Sequence, residues 1–159
     1  MNAKDRRLLI SKFGGMVART HPEFLPFRGT STYMFPSHYY FSYQDRARGL
    51  LVLDLYINQK TNTSEFTVQF GWSRLSRLPE VLSVHFYMDD VEAGTRRYAQ
   101  PEYLQRVAMF LGNDTWWRFE SVDPAECEKV LIAVEQLLRD KVIPYLVGAL
   151  EFKSGEELI

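Results

Sequence analysis

An α+β fold is predicted, with an N-terminal helix, an antiparallel meander sheet of five to six strands, and a long C-terminal helix packed on one face. Three features of the chain predict it. Apolar residues recur at helical spacing over residues 3–19, the aromatic-rich centre alternates with the period of a strand, and a capped apolar stripe begins at Asp123. Helices gathered on an antiparallel sheet are one of the few ways in which two such half-apolar elements bury each other. At 159 residues the expectation is a single domain over 1–150 with a loose tail at 151–159. A chain of that length buries roughly 70 % of the surface it exposes when unfolded.

Taken in order, Leu8, Leu9, Phe13, Met16 and Val17 form the stripe of the first helix, Asn2 is its N-cap and Asp5 its third residue, while Gly14-Gly15 weakens it in the middle. "THPEFLPFRGTS" reads as a loop, because its two prolines and its glycine interrupt any period. "STYMF" and "HYYFSY" read as strand around Pro36, which suits a bulge or an edge. "LLVLDLYI" at 50–57 places Leu51, Leu53, Leu55 and Ile57 on one face, and "NQKTN" is a turn. "EFTVQFGW" places Phe66, Val68, Phe70 and Trp72 together. "SRLSRLPE" is a connection, and "VLSVHFYM", "QRVAMFL" and "TWWRFE" are the remaining candidate strands.

In the last helix Asp123, Pro124 and Glu126 supply an N-cap, a proline at the first position and an acid at the third, the pattern of a capping box. Cys127, Val130, Leu131, Val134, Leu137, Leu138, Lys141, Val142 and Tyr145 then follow a helical period. Pro144 is expected to kink or end the helix, with a shorter continuation through Leu150.

Charge and composition narrow the function classes. Nineteen basic and twenty acidic residues give a net charge of −1, without the basic surplus of a duplex-binding protein, so no nucleic-acid partner is expected. "MNAKDRRLLISKF" has no uninterrupted apolar core and no later segment reaches the ~18 apolar residues of a membrane span, which points to a cytoplasmic protein with no membrane partner. The single cysteine, Cys127, forms no internal disulfide and falls on the apolar stripe, where it acts as a small hydrophobe.

"YMDD" at 87–90 raises the question of a two-metal polymerase site, with Asp54 as the distant carboxylate. Only one turn and another strand lie between Asp54 and Asp89 where polymerase palms interleave helices, so Asp89 and Asp90 read as a turn whose aspartates bond their own backbone. His21, His38 and His85 show no ligand spacing, no nucleophile motif is present, and neither metal nor cofactor is expected. Asp54 stands out, because an acid inside the most apolar strand needs a partner. Arg46 or Arg48 is the expected one, and a pocket around Asp54, His38 and His85 is the alternative with chemistry in it.

Two groups point to contact rather than catalysis. Tyr39, Tyr40 and Tyr43 cluster in one strand, and tyrosine is favoured at interfaces. Asp89, Asp90 and Glu92 form an acidic group suited to steering a basic partner.

The sequence of elements carrying Arg106, Phe110-Leu111, the Gly112–Asp114 turn, Trp116-Trp117 and the Pro144 break is similar to a group of small bacterial domain-of-unknown-function families. Some of these resemble immunity proteins, which neutralise a toxin by binding it. The resemblance implies a small cytosolic protein whose partner is another protein, such as a basic toxin, and it implies no catalytic residue. The expected function is a non-catalytic protein-binding module of immunity type; the alternative is a small-ligand-binding protein or enzyme with a pocket at Asp54.

Overall fold

The structure, a computed structural model, describes residues 1–27, 37–46, 48–60, 62–75, 77–79, 102–113 and 115–148. Helix α1 runs over Ala3–Thr20 and starts where expected, with the Asn2 side chain accepting the Asp5 N–H at 2.9 Å. Six strands follow among the described residues: β1 (Leu25–Pro26), β2 (His38–Asp45), β3 (Gly49–Ile57), β4 (Glu65–Ser73), β5 (Glu102–Arg106) and β6 (Trp117–Arg118). A one-turn helix, α2 (Ala108–Leu111), lies between β5 and β6, and α3 (Pro124–Leu137) follows. A π-helical turn (Leu138–Val142) then leads into a last short helix, α4 (Ile143–Leu146). This is the α+β architecture that the patterning predicts.

Among the described residues all strand pairs are antiparallel and the order is β1-β2-β3-β4-β5, with β6 also on β4. Both β5 and β6 use the same edge of β4, end to end. β5 pairs with Gln69–Ser73, and β6 takes Glu65 and Phe66. Gly71 makes the first pairing possible, since a Cβ there would collide with the Tyr103 carbonyl oxygen.

Strand alternation separates two environments. Leu51, Leu53, Leu55, Ile57, Phe66, Val68, Phe70 and Trp72 share one core with Leu9, Phe13, Met16 and Val17 of α1 and with Cys127, Leu131 and Val134 of α3. Trp72 stacks on its cross-strand neighbour Tyr103 with ring centroids 4.4 Å apart. On the other side of the sheet a smaller cluster of Tyr40, Val52 and Leu78 forms, with Phe27 and Leu50 against it.

Three elements differ from the sequence expectation. The "THPEFLPFRGTS" loop contributes β1, whose Pro26 sits where an outermost strand tolerates a missing N–H. The run "QRVAMFL" is strand only to Arg106, and then turns helical. Val107 and Phe110, three residues apart, are both buried, an arrangement that one helical turn permits and alternation does not. Phe110 there stacks on Phe70 at 5.4 Å and meets Tyr145 edge-on at 5.5 Å.

The third difference concerns Pro144. The C-terminal helix changes character at Leu138, well before the proline, where the Ile143 N–H reaches back five residues to the Leu138 carbonyl. Proline has no N–H and its ring presses on the carbonyl four residues earlier. A widened turn immediately ahead of it accommodates both defects and lets the helix continue through Leu146. "STYMF", "VLSVHFYM" and the 151–159 tail lie outside the described residues.

Candidate functional site

The face of the sheet opposite the main core brings together the polar residues that strand alternation predicts but cannot pair. The β2–β3 register sets Tyr40 directly across from Asp54 and His38 across from Tyr56, so His38 and Asp54 are diagonal neighbours. His38 Nδ1 lies 2.7 Å from Asp54 Oδ2, and the Tyr39 backbone N–H donates to Oδ1 at 3.2 Å. Neither Arg46 nor Arg48 is the partner of this acid. Arg48 instead approaches Asp45, whose Oδ1 accepts the Arg48 backbone N–H at 2.8 Å. The diagonal contact wins because the β3 strand places Asp54 in mid-sheet, while Arg48 stands at the β2–β3 turn.

Asp54 is fully buried. Burial pushes its carboxyl above the usual carboxylate range, opposed by the hydrogen bond and charge of His38 and by the Tyr39 N–H. Burial, and then the Asp54 charge, also hold the Tyr40 phenol well above its ordinary value. The His38 ring is stacked against Tyr56 at 4.1 Å and 11°, and Trp116 meets Tyr56 edge-on at 5.3 Å. The Arg106 guanidinium stands 5.5 Å from the Trp116 ring. A carboxylate on Nδ1 fixes an imidazole, and such a ring does proton or ligand chemistry through its opposite nitrogen. His85, the third residue expected here, lies outside the described residues, as do Asp89, Asp90, Glu92 and the whole of "YMDD".

The three tyrosines of β2 do not share a surface. Tyr40 is buried in the smaller cluster, whereas Tyr39 and Tyr43 are half-buried against the main core, an odd–even split inherent to a strand. The adjacent Trp116 and Trp117 divide in the same way, with Trp117 stacked on Phe66 at 5.6 Å against the main core and Trp116 against Tyr56. Cys127 is buried, and burial raises its thiol above the ordinary value, as expected of a packing residue. Among the described residues no three His, Cys, Asp or Glu side chains are grouped to hold a metal ion. No described helix is long and apolar enough to cross a membrane.

A second site lies where α1 packs beside α3. Lys12 Nζ meets Glu128 Oε1 at 2.7 Å, and Arg19 Nη2 stands 3.6 Å from Glu135 Oε2. The bond from Lys12 holds the Glu128 carboxyl below its usual range. Between the two ion pairs is a groove of about 430 Å³ floored by Met16 and Leu131. Gly15 leaves one side open, with nothing within 4 Å of where a Cβ would stand, and Ile132 on the other side is 65 % exposed. An apolar floor inside a charged rim is the anatomy of a protein contact surface. The groove is absent from the sequence expectations, yet its signal is in the chain: like charges seven residues apart on each helix, basic at 12 and 19, acidic at 128 and 135.

Comparison of the chain with protein-family models, with curated proteins and with solved structures returned no match.

Proposed function

We propose that this protein works by binding another protein and that the outward surface of α1 and α3 is its contact face. The observation that carries this is Ile132, a large aliphatic residue 65 % exposed at the lip of a groove with an apolar floor and charges at both ends. On the resemblance to immunity-type families read from the sequence, the partner would be a basic toxin neutralised by direct contact, with Asp89, Asp90 and Glu92 as its acidic attraction. Affinity capture at low salt with the wild-type chain and with Ile132→Glu tests the contact face. A stoichiometric protein partner, a second copy of the chain included, is expected to be held by the first and lost by the second, with the two proteins equally folded. Equal capture by both removes the groove from the interface.

A second function is favoured by one specific arrangement, the His38–Asp54 pair within its aromatic surround. A small planar or anionic ligand would be oriented there by stacking and by the imidazole. Titration of the His38 ring resonances during a ligand screen tests it, with shifts confined to His38, Tyr56 and Trp116 expected.

A further inference from the structure

The groove carries more than a surface open to any partner, because its two walls are opposite in charge and level with each other. From Lys12 to Arg19 and from Glu128 to Glu135 the chain advances seven residues in each helix. The two ion pairs therefore require α1 and α3 to run side by side in the same direction. One wall is basic at both ends and the other acidic at both ends. Each pair keeps one well-exposed member, Glu128 at 65 % and Arg19 at 68 %. Ile132 and Gly15 lie midway along opposite walls, four and three residues beyond the first pair, so their heights differ by only ~1.5 Å at the helical rise. A protruding side chain and an open space thus stand level on the same face.

We propose that this face pairs with the same face of a second copy of the chain, about a twofold axis parallel to the two helices. This rests on the groove being a contact surface and names its occupant. A rotation about that axis keeps every residue at its own height and exchanges left for right. The acidic wall of one copy then meets the basic wall of the other at both ends. Ile132 of each copy arrives over the open side of Gly15 in its partner. A twofold interface must be self-complementary in this manner, residue i against j and j against i. The perpendicular axis would set α1 on α1 and bring Lys12 against Arg19, and that like-charge contact excludes it. Charge and shape select the same one of the two geometries.

Sedimentation velocity across a concentration series tests the pairing, with circular dichroism to establish folding. The wild-type chain should show a reversible dimer that weakens with added salt. Ile132→Glu, at an exposed position, should fold normally and dissociate at least tenfold more readily, about 1.4 kcal/mol. The pair Lys12→Glu with Arg19→Glu makes the face wholly acidic, and Glu128→Lys with Glu135→Lys makes it wholly basic. Each should be monomeric alone, and an equimolar mixture of the two should form a heterodimer. A dimer that Ile132→Glu leaves intact, or folded charge variants that never combine, would overturn the proposal. A monomeric wild-type chain that captures a different protein through Ile132 also overturns it, and leaves the groove as a binding face for another partner. A monomer that captures nothing removes the contact face as well.

Discussion

His38 reaches diagonally across the β2–β3 ladder to Asp54, Nδ1 to Oδ2 at 2.7 Å, and so completes the hydrogen bonding of a carboxylate that has no contact with water. Removing one member of a buried pair leaves the other stranded, which costs about 3–5 kcal/mol. His38→Ala, which strands the Asp54 carboxylate, should therefore lower the unfolding free energy by that amount in urea titrations, and Asp54→Ala, which removes the buried charge itself, by about 1–3 kcal/mol. Asp54→Asn, which still accepts from the Tyr39 N–H, should lose only ~1–2 kcal/mol. The double variant with His38→Ala should be milder than the sum of the single ones, since the two residues form one interaction. Additive losses would show that the pair does not act as a unit.

His21 closes α1 with its backbone and is buried, yet its Nε2 has no hydrogen-bond partner among the described residues. Burial lowers its pKa from 6.5, outweighing the attraction of Glu23 and Glu135, while Arg139 adds to the depression. Below pH 6.5 the unfolded chain takes up this proton more readily than the folded one. Stability therefore rises with pH in that window, by at most ~1.4 kcal/mol per unit, and the contribution is level above it. Unfolding titrations of the wild-type chain and His21→Gln between pH 5 and 8 should diverge on the acid side only. Parallel curves would show that His21 is not the titrating group.

The contact of Gly71 with the Tyr103 carbonyl leaves no room for a methyl group. Gly71→Ala must push β5 away from β4, and a loss of ~3 kcal/mol is expected from strain of this kind. Hydrogen exchange should locate the damage, with protection falling at Tyr103 and Leu104 and retained along the β3–β4 ladder. Unchanged protection at Leu104 would place the strain elsewhere.

Cys127 offers a probe that needs no substitution. A buried thiol held above its ordinary pKa presents little thiolate to a reagent. Reaction with an aromatic disulfide should be slow in the native protein and fast in denaturant, at a rate that tracks unfolding. Rapid native labelling would mean that α3 opens readily at its first turn.

Local rules served best where the cause is local. The Asn2 and Asp123 caps, the alternation of Phe66 to Trp72 and the stripe from Cys127 to Leu138 are all set within a few residues, and the structure follows them. The helical turn at Ala108–Leu111 was not legible, since a short apolar run suits strand or helix until its neighbours are known. Asp54 was conspicuous as a buried acid but its partner was not. His38 is sixteen residues away and becomes its neighbour only through the β2–β3 register. The Lys12–Glu128 contact spans 116 residues: the seven-residue charge spacing marks each helix, but that the two helices meet depends on how both lie on the sheet.

The π-helical turn at Leu138–Val142 has a consequence best expressed as an angle. Each residue of an α-helix turns the chain by about 100°, so the extra residue that a π-turn holds sets the direction of everything beyond it. Tyr145 faces Phe70 and Phe110 because of that offset. Deleting one residue from 138–142 would restore a regular helix and improve its local geometry. It would also swing Tyr145 roughly a quarter-turn or more away from the core. The segment behaves as a phase shifter, in which local regularity and global fit favour opposite lengths of chain.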